Sequence, residues 1–498
     1  MERQSGVLNP IFSLPNKYGI GDFGKEAKNF IDFLKKSGQK IWQILPITQT
    51  GIGNSPYSSV SGESFNPYFI SLDTLYDLGL VKKIDLKRAT RKGEFIDYDD
   101  LAKTRIPLLR KAFKKFDKRS EEFKAFKKSG KYKDYALFMA LKTKFDDIPF
   151  YKLPDGLKFR EKVALTDFYR KNRSEVNFWL FVQFEARREW FELKSYANER
   201  GISIMGDMPL YVSSDSVDVW TDANLFKLNP DLTVKKKAGV PPDYFSKTGQ
   251  LWGNPVYNYE KHSAQHFSWW VKRIKNALEI FDYVRIDHFR GLDRYYEIEA
   301  SAKTAMHGQW VKVPSDELFR VIHASCDKTR IIAEDLGVID DGVKKLLDKT
   351  GYPGMKILQF AFEGGKDNAY LPENIGENSV CYTGTHDNDT LVGYLNSLGG
   401  KYDLVKKNVS DSIKMMKIRK KITSVHSLAD GIIRLGCKCK SRLFILPIAD
   451  LLFRDTAYRI NEPGTVKKQN WSVKITRDFY SEKVAKKLYK LTKEYGRL

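Results

Sequence analysis

Cysteine is scarce: four residues in a chain of 498, at Cys326, Cys381, Cys437 and Cys439. Cys437 and Cys439 form a C-x-C with no second pair at zinc-finger spacing, so no structural zinc is expected. So few thiols in so long a chain suit a reducing compartment rather than a disulfide scaffold. The seven histidines include a single H-x-x-x-H, His262 and His266, without the glutamate of an H-E-x-x-H, and the acids form no EF-hand, so neither a metal nor another cofactor is expected. A phosphate cradle is also missing, because the Gly-rich GIGDFG at 19–24 follows no strand. No apolar run is long enough to cross a bilayer, and the opening MERQSGVLNPIFSLPNKYGIGDFG holds no apolar signal core. A cytoplasmic location and no membrane partner are the expectation.

Acidic residues are outnumbered, 62 against 85 Lys and Arg, for a net charge of +23. An excess of this size raises nucleic acid or another polyanion as a partner. The basic residues are spread along the chain, however, and are densest between Leu101 and Tyr135. There Leu109, Phe113, Phe116, Phe123 and Phe126 recur at roughly helical spacing. An apolar face turned to a core and a lysine face turned to water explain that stretch. Nucleic acid is therefore not expected.

Strand-like apolar runs alternate with helical periods, the mark of a parallel sheet or barrel. A helix at about 24–37 leads into IWQILPI (41–47), read as the first strand, and NPYFISL (66–72) reads as the second. From about 74 to 175 the chain is charged and mainly helical in period, an inserted helical subdomain. A helix at 176–200 precedes ISIMGDMPLYV, and a helix near 264–279 precedes YVRIDHF. Helices at 316–326 and 341–350 precede RIIAEDLG and GMKILQF (354–360). A strand ending in THDN and another at 442–449 complete a count of eight, the number a closed (β/α)8 barrel requires. On this reading residues 1–73 begin the barrel and 176–498 complete it, with inserted loops at about 213–260 and 290–315. Loops that long in a compact domain tend to be functional.

Three acids each close a short apolar run: Asp287 in YVRIDHF, Glu334 in RIIAEDLG and Asp387 in VCYTGTHDN. Acids at the carboxyl ends of strands four, five and seven converge above one end of a barrel. A pair of carboxyl groups flanking an acetal is what cleavage of a glycosidic bond needs. Strand alternation puts Arg285, Asp287 and Phe289 on one face and Ile286 and His288 on the other. Arg285 is placed to hold Asp287 ionised, as a nucleophile requires, although a plain structural Arg–Asp pair has the same spacing. Glu334 follows the apolar RIIA, and burial favours its protonated, proton-donating form, although an acid capping the next loop would also fit. His386 and Asp387 together suit a grip on neighbouring sugar hydroxyls, or alternatively a turn. In GVPPDYFSKTGQLWGNPVY (239–257), Tyr244, Phe245 and Trp252 offer flat faces on which sugar rings stack.

With these motifs in place, the chain resembles throughout its length the 4-α-glucanotransferases of the amylomaltase (disproportionating enzyme) type, within the α-amylase clan. The resemblance is carried by SLPNKYGIGDFG, SPYSS with NPY, GDMPLYVSSDSVDVW, GVPPDYFSKTGQLWGNPVY, RIDHFRG, AEDLG, GTHDNDT and RINEPG. It implies a (β/α)8 barrel with a helical insert, retention of the α configuration and no required metal. It also implies Asp287 as nucleophile, Glu334 as acid/base and Asp387 as stabiliser of the distorted ring. Tyr57, Asp207, Arg285, His288, His386 and Asn461 would then line the donor site, with Phe245 and Trp252 in the loop beside the acceptor channel. The expected partners are α-1,4-glucans and maltooligosaccharides. A glucan hydrolase using the same acids, and a non-catalytic glucan- or polyanion-binding protein, are the alternative readings.

Overall fold

The computed structural model describes residues 3–242, 246–337 and 339–498. Eight parallel strands form one sheet: β1 (Gln4–Leu8), β2 (Ile41–Gln43), β3 (Ser203–Met208), β4 (Tyr283–Ile286), β5 (Ile331–Ala333), β6 (Gly354–Ile357), β7 (Ser379–Tyr382) and β8 (Leu443–Pro447). They are ordered β6-β7-β8-β1-β2-β3-β4-β5. The sheet is drawn round on itself where Ala333 N–H donates to the Pro353 carbonyl, 3.0 Å, linking β5 to the start of β6. The result is a (β/α)8 barrel.

Strand alternation sorts the side chains. Ile41, Met205, Ile332, Met355, Ile357, Val380, Tyr382, Leu443 and Ile445 pack together as one buried cluster inside the barrel. The opposite phase, including Val7, Trp42, Ile204, Val284, Ile286 and Phe444, packs outward in the larger core that contains the helices. Arg285 and Asp207 share the inward phase of Met205, which explains how polar groups come to sit in the barrel mouth.

Two strand assignments differ from the sequence expectation. NPYFISL is not a strand. Asn66 accepts from Tyr68 N–H to cap a short 3-10 turn (Pro67–Phe69), and Ser71 accepts from Thr74 N–H to cap a helix (Leu72–Asp77). The true first strand is QSGVL, too short and too interrupted by Gly6 to show a period. Gly6 is required there, since a Cβ would lie 2.4 Å from the Ile41 carbonyl oxygen. IWQILPI is therefore the second strand, and only Ile41–Gln43 of it is extended.

Between β2 and β3 the chain is helical over most of 72–198, ending in a 26-residue helix, Arg173–Asn198. The basic stretch from Leu101 forms two helices, Tyr98–Lys115 and Glu121–Ser129, that bury Leu109, Phe113 and Phe123. Within the long helix, buried Gln183 accepts from Phe65 N–H (2.8 Å) and donates to its carbonyl (2.9 Å), while Glu189 accepts from Ser71 N–H (2.8 Å). These bonds pin the segment that follows Tyr57. The loops at 213–260 and 290–315 are not irregular throughout. They contribute a second, antiparallel sheet ordered Gln250–Pro255, Lys236–Val240, Arg294–Glu299, Gly308–Lys312. No helix among the described residues is long and apolar enough to cross a membrane.

Candidate active site

Asp287 and Glu334 are the first residues past β4 and β5, and Asp387 follows β7 by five positions. The carboxyl ends of β4, β5 and β7 thus deliver all three acids to one face of the barrel. Arg285 joins them. It is buried, and its Nη1 donates to both oxygens of Asp207 at 2.7 and 2.8 Å. Its Nη2 lies 3.1 Å from Asp287 Oδ1 and 4.0 Å from Glu334 Oε2. A single nitrogen therefore bridges the two acids, which cannot be further apart than those distances laid end to end.

The network continues on the other side of Asp207. Tyr57 O–H donates to Asp207 Oδ2 at 2.6 Å and lies 2.9 Å from His386 Nε2. With its one proton directed at Asp207, the phenol accepts from a His386 Nε2–H. The two rings stack, 5.3 Å between centroids and 16° between planes, and Trp471 packs against both. His386 Nε2 is also 3.5 Å from Asp387 Oδ1. That oxygen accepts from Asn461 Nδ2 at 2.6 Å, and Arg459 Nη2 donates to the Asp387 carbonyl at 2.8 Å. One continuous chain of polar contacts joins the three acids.

Electrostatics in this cluster follow from burial and crowding. Burial raises Asp287 well above the ordinary carboxylate range, Arg285 opposes the rise, and Asp207, Glu334 and Asp387 add to it. Arg285 thus orients Asp287 without holding it low, contrary to the simplest expectation, because the burial of Asp287 outweighs the pull of the arginine and the neighbouring acids add to the rise. Burial also raises Glu334, against Arg285 and two backbone donors: Leu336 N–H to Oε1 (2.8 Å) and His288 N–H to Oε2 (2.7 Å). Two acids this close titrate as a pair, and the pair retains a proton more readily than an isolated carboxyl group. Arg285 stays charged: burial works against it, but Asp207 and Asp287 more than compensate. Burial lowers His386, favouring a neutral ring.

Alternation along β4 holds through Asp287 and stops at His288, whose φ of 49° is left-handed. That turn aims the His288 amide at Glu334 and buries Phe289 against Phe319 and Tyr352, away from the acids. The His288 ring returns to the site, edge-to-face with Trp252 at 4.8 Å and beside Tyr211 at 6.3 Å. Burial holds the His288 imidazole down to about 3, and among the described residues its Nε2 has no hydrogen-bond partner. Tyr244 and Phe245 lie outside the described residues. Asp335, the rival acid in AEDLG, turns away: it accepts from Met355 N–H at 2.6 Å and ties the start of β6.

Residues 9–479 match the family model described as 4-alpha-glucanotransferase. The chain belongs to the 4-alpha-glucanotransferase family. It is 41% identical to a 4-alpha-glucanotransferase of Clostridium butyricum over 98% of this chain and 99% of that one. A 4-alpha-glucanotransferase of Aquifex aeolicus is also 41% identical, over 99% of each chain. Among solved structures, the amylomaltase from Streptococcus agalactiae in complex with acarbose superposes with a TM-score of 0.93 at 38% identity, covering each chain fully. The fold extends to a distant amylomaltase from Corynebacterium glutamicum, at TM-score 0.79 and 18% identity.

Three residues of this cluster were not named from the sequence. Arg459 lies inside RINEPG, where an arginine two residues before Asn461 is the only signal. Tyr211 lies inside GDMPLYVSSDSVDVW, and Trp471 carried no signal, because a lone aromatic reads first as core.

Proposed function

We propose that the chain is a retaining 4-α-glucanotransferase that moves a segment of an α-1,4-glucan to the 4-hydroxyl of an acceptor glucan or glucose. The observation that carries this is the single Arg285 nitrogen 3.1 Å from Asp287 and 4.0 Å from Glu334. Neighbouring carboxyl groups suit the retaining mechanism, for which a separation of about 5–5.5 Å is usual. Asp287 is the nucleophile. Its Oδ attacks the anomeric carbon while Glu334 gives its proton to the departing glycosidic oxygen. The product is a glycosyl ester on Asp287 and a free reducing-side fragment.

Glu334 must then act as a base. Esterification removes the charge of Asp287, so one anionic neighbour of Glu334 disappears and its proton affinity falls. The two backbone donors on Glu334 favour the same ionised form. Glu334 takes the proton of an incoming 4-hydroxyl, whose oxygen displaces Asp287 and restores the α configuration. Asp387, held by Asn461, is suited to two adjacent hydroxyls of the distorted ring. The open Nε2 of His288 suits a third polar contact with the donor sugar, and Trp252 and Tyr211 form an apolar wall. Such a wall excludes water from the ester and favours a sugar acceptor. Tyr57 and Asp207 belong to the donor side. A cytoplasmic location accompanies this reading, supported by four cysteines that remain free thiols.

Incubation with maltotriose tests the reading. Transfer yields a ladder of longer maltooligosaccharides plus glucose. Shortening alone would instead indicate the hydrolase reading, and no change would leave a binding protein.

A further inference from the structure

Of the nine tryptophans, Trp310 alone is exposed, with 38% of its surface open. Core packing does not explain it. It lies on Gly308–Lys312, an edge strand of the antiparallel sheet, whose opposite edge carries Trp252 to the active site. The ring is braced from two sides. Tyr296, its register partner on the neighbouring strand, meets it at 5.2 Å and 60°. The Arg290 guanidinium stands 4.1 Å from the ring centroid. Arg290 is itself fixed by Asp340 at 3.1 Å, and Arg294 reaches the same Asp340 oxygen at 3.0 Å.

Arg290 also sets the location. It follows His288 by two residues, so the tryptophan stands on the rim reached by the same turn that aims His288 at Glu334. Exposed Lys312 shares the indole's face of the strand, and Arg290 brings a second polar group to the ring. A flat, rigid apolar face flanked by hydrogen-bonding groups matches the alternating C–H and hydroxyl surface of a sugar ring. The exposed edge also offers strand pairing with a second copy of the chain, but five residues bearing Lys312 make a poor template.

We propose that Trp310, braced by Arg290 and Tyr296, is a remote subsite that stacks a glucose unit of a long α-1,4-glucan whose reacting unit lies at Asp287. The proposal rests on the glucanotransferase reading and adds a chain-length preference to it. Short oligosaccharides span the acids without reaching the indole, whereas amylose reaches both.

The experiment compares wild type, Trp310→Ala and Trp310→Phe with maltotriose and with long-chain amylose. Loss of one aromatic contact raises the ratio of KM for amylose to KM for maltotriose roughly two- to tenfold in Trp310→Ala. Trp310→Phe restores part of it. An unchanged ratio overturns the proposal, as does an equal rise in both KM values, which marks a structural role. A change in oligomeric state by light scattering without a change in the ratio also overturns it, in favour of self-association. Wild-type protein inactive on maltotriose would fail a step earlier and overturn the reading beneath.

Discussion

Asp207→Asn keeps the shape of the side chain and removes its charge, and its consequences can be worked out from the contacts. Asp207 and Arg285 are both buried, 4% and 3% exposed. Removing one member of a buried ion pair typically costs 3–5 kcal/mol because the other charge is left uncompensated. Here Arg285 retains Asp287 at 3.1 Å and Glu334 at 4.0 Å, so the loss sits at the lower end, about 3 kcal/mol. Urea unfolding reads this as a lower midpoint at constant slope. The charge also leaves Asp287. Its proton affinity falls as the push from Asp207 disappears and Arg285 is shared less, so the acid limb of kcat/KM moves to lower pH. Tyr57 meanwhile faces an amide, turns its proton to His386 Nε2 and displaces the N–H near Asp387. Misplacement on that scale lowers kcat/KM on the order of a hundredfold. A variant within about 1 kcal/mol of wild type, with its acid limb unmoved, would refute the reasoning.

Glu334→Gln removes the proton donor. Transfer from maltotriose should fall roughly 10²- to 10⁴-fold. The first-turnover burst of fluoride from an α-glucosyl fluoride, whose leaving group needs no proton, should fall far less; equal losses would exclude Glu334 as the acid. His262 is buried among Tyr257, Trp269 and Trp270, and burial holds its imidazole down to about 4 from the ordinary 6.5. The unfolded chain takes up a proton below 6.5 and the folded chain does not until about 4, so stability is lost as pH falls between those values. The loss reaches about 3 kcal/mol. His262→Phe should flatten the fall of unfolding free energy over that range, and an unaltered slope would show that His262 does not titrate on unfolding.

The barrel was legible where strands end in chemistry. YVRIDHF, RIIAEDLG and the run before THDN each couple a buried apolar segment to an abrupt polar end, and all three became strand ends at one face. QSGVL was not legible, because Gly6 leaves a gap in an already short run and the need for it lies in Ile41, far along the chain. NPYFISL misled in the other direction. Its apolar content suits a strand, yet Asn66 and Ser71 accept from amides two and three residues on, and that cap chemistry decides for helical turns. The second sheet was hidden in Gly- and Pro-rich sequence whose pairing is set by partners tens of residues away. At the site, residue types pointed to the acids and to Arg285. That Arg285 pairs most closely with Asp207, and that His288 turns left-handed, are properties of three-dimensional neighbours.

The central claim is that Asp287 forms the covalent bond to the sugar. An accumulating glycosyl-enzyme, made from an activated fluoride donor and the Glu334→Gln variant, can be digested and its peptides weighed. The account requires the added glycosyl mass on the peptide containing Asp287, its persistence when maltose is supplied, and its loss when azide, a nucleophile that needs no general base, is supplied. Mass on any other carboxylate, or no adduct while transfer proceeds, would contradict it.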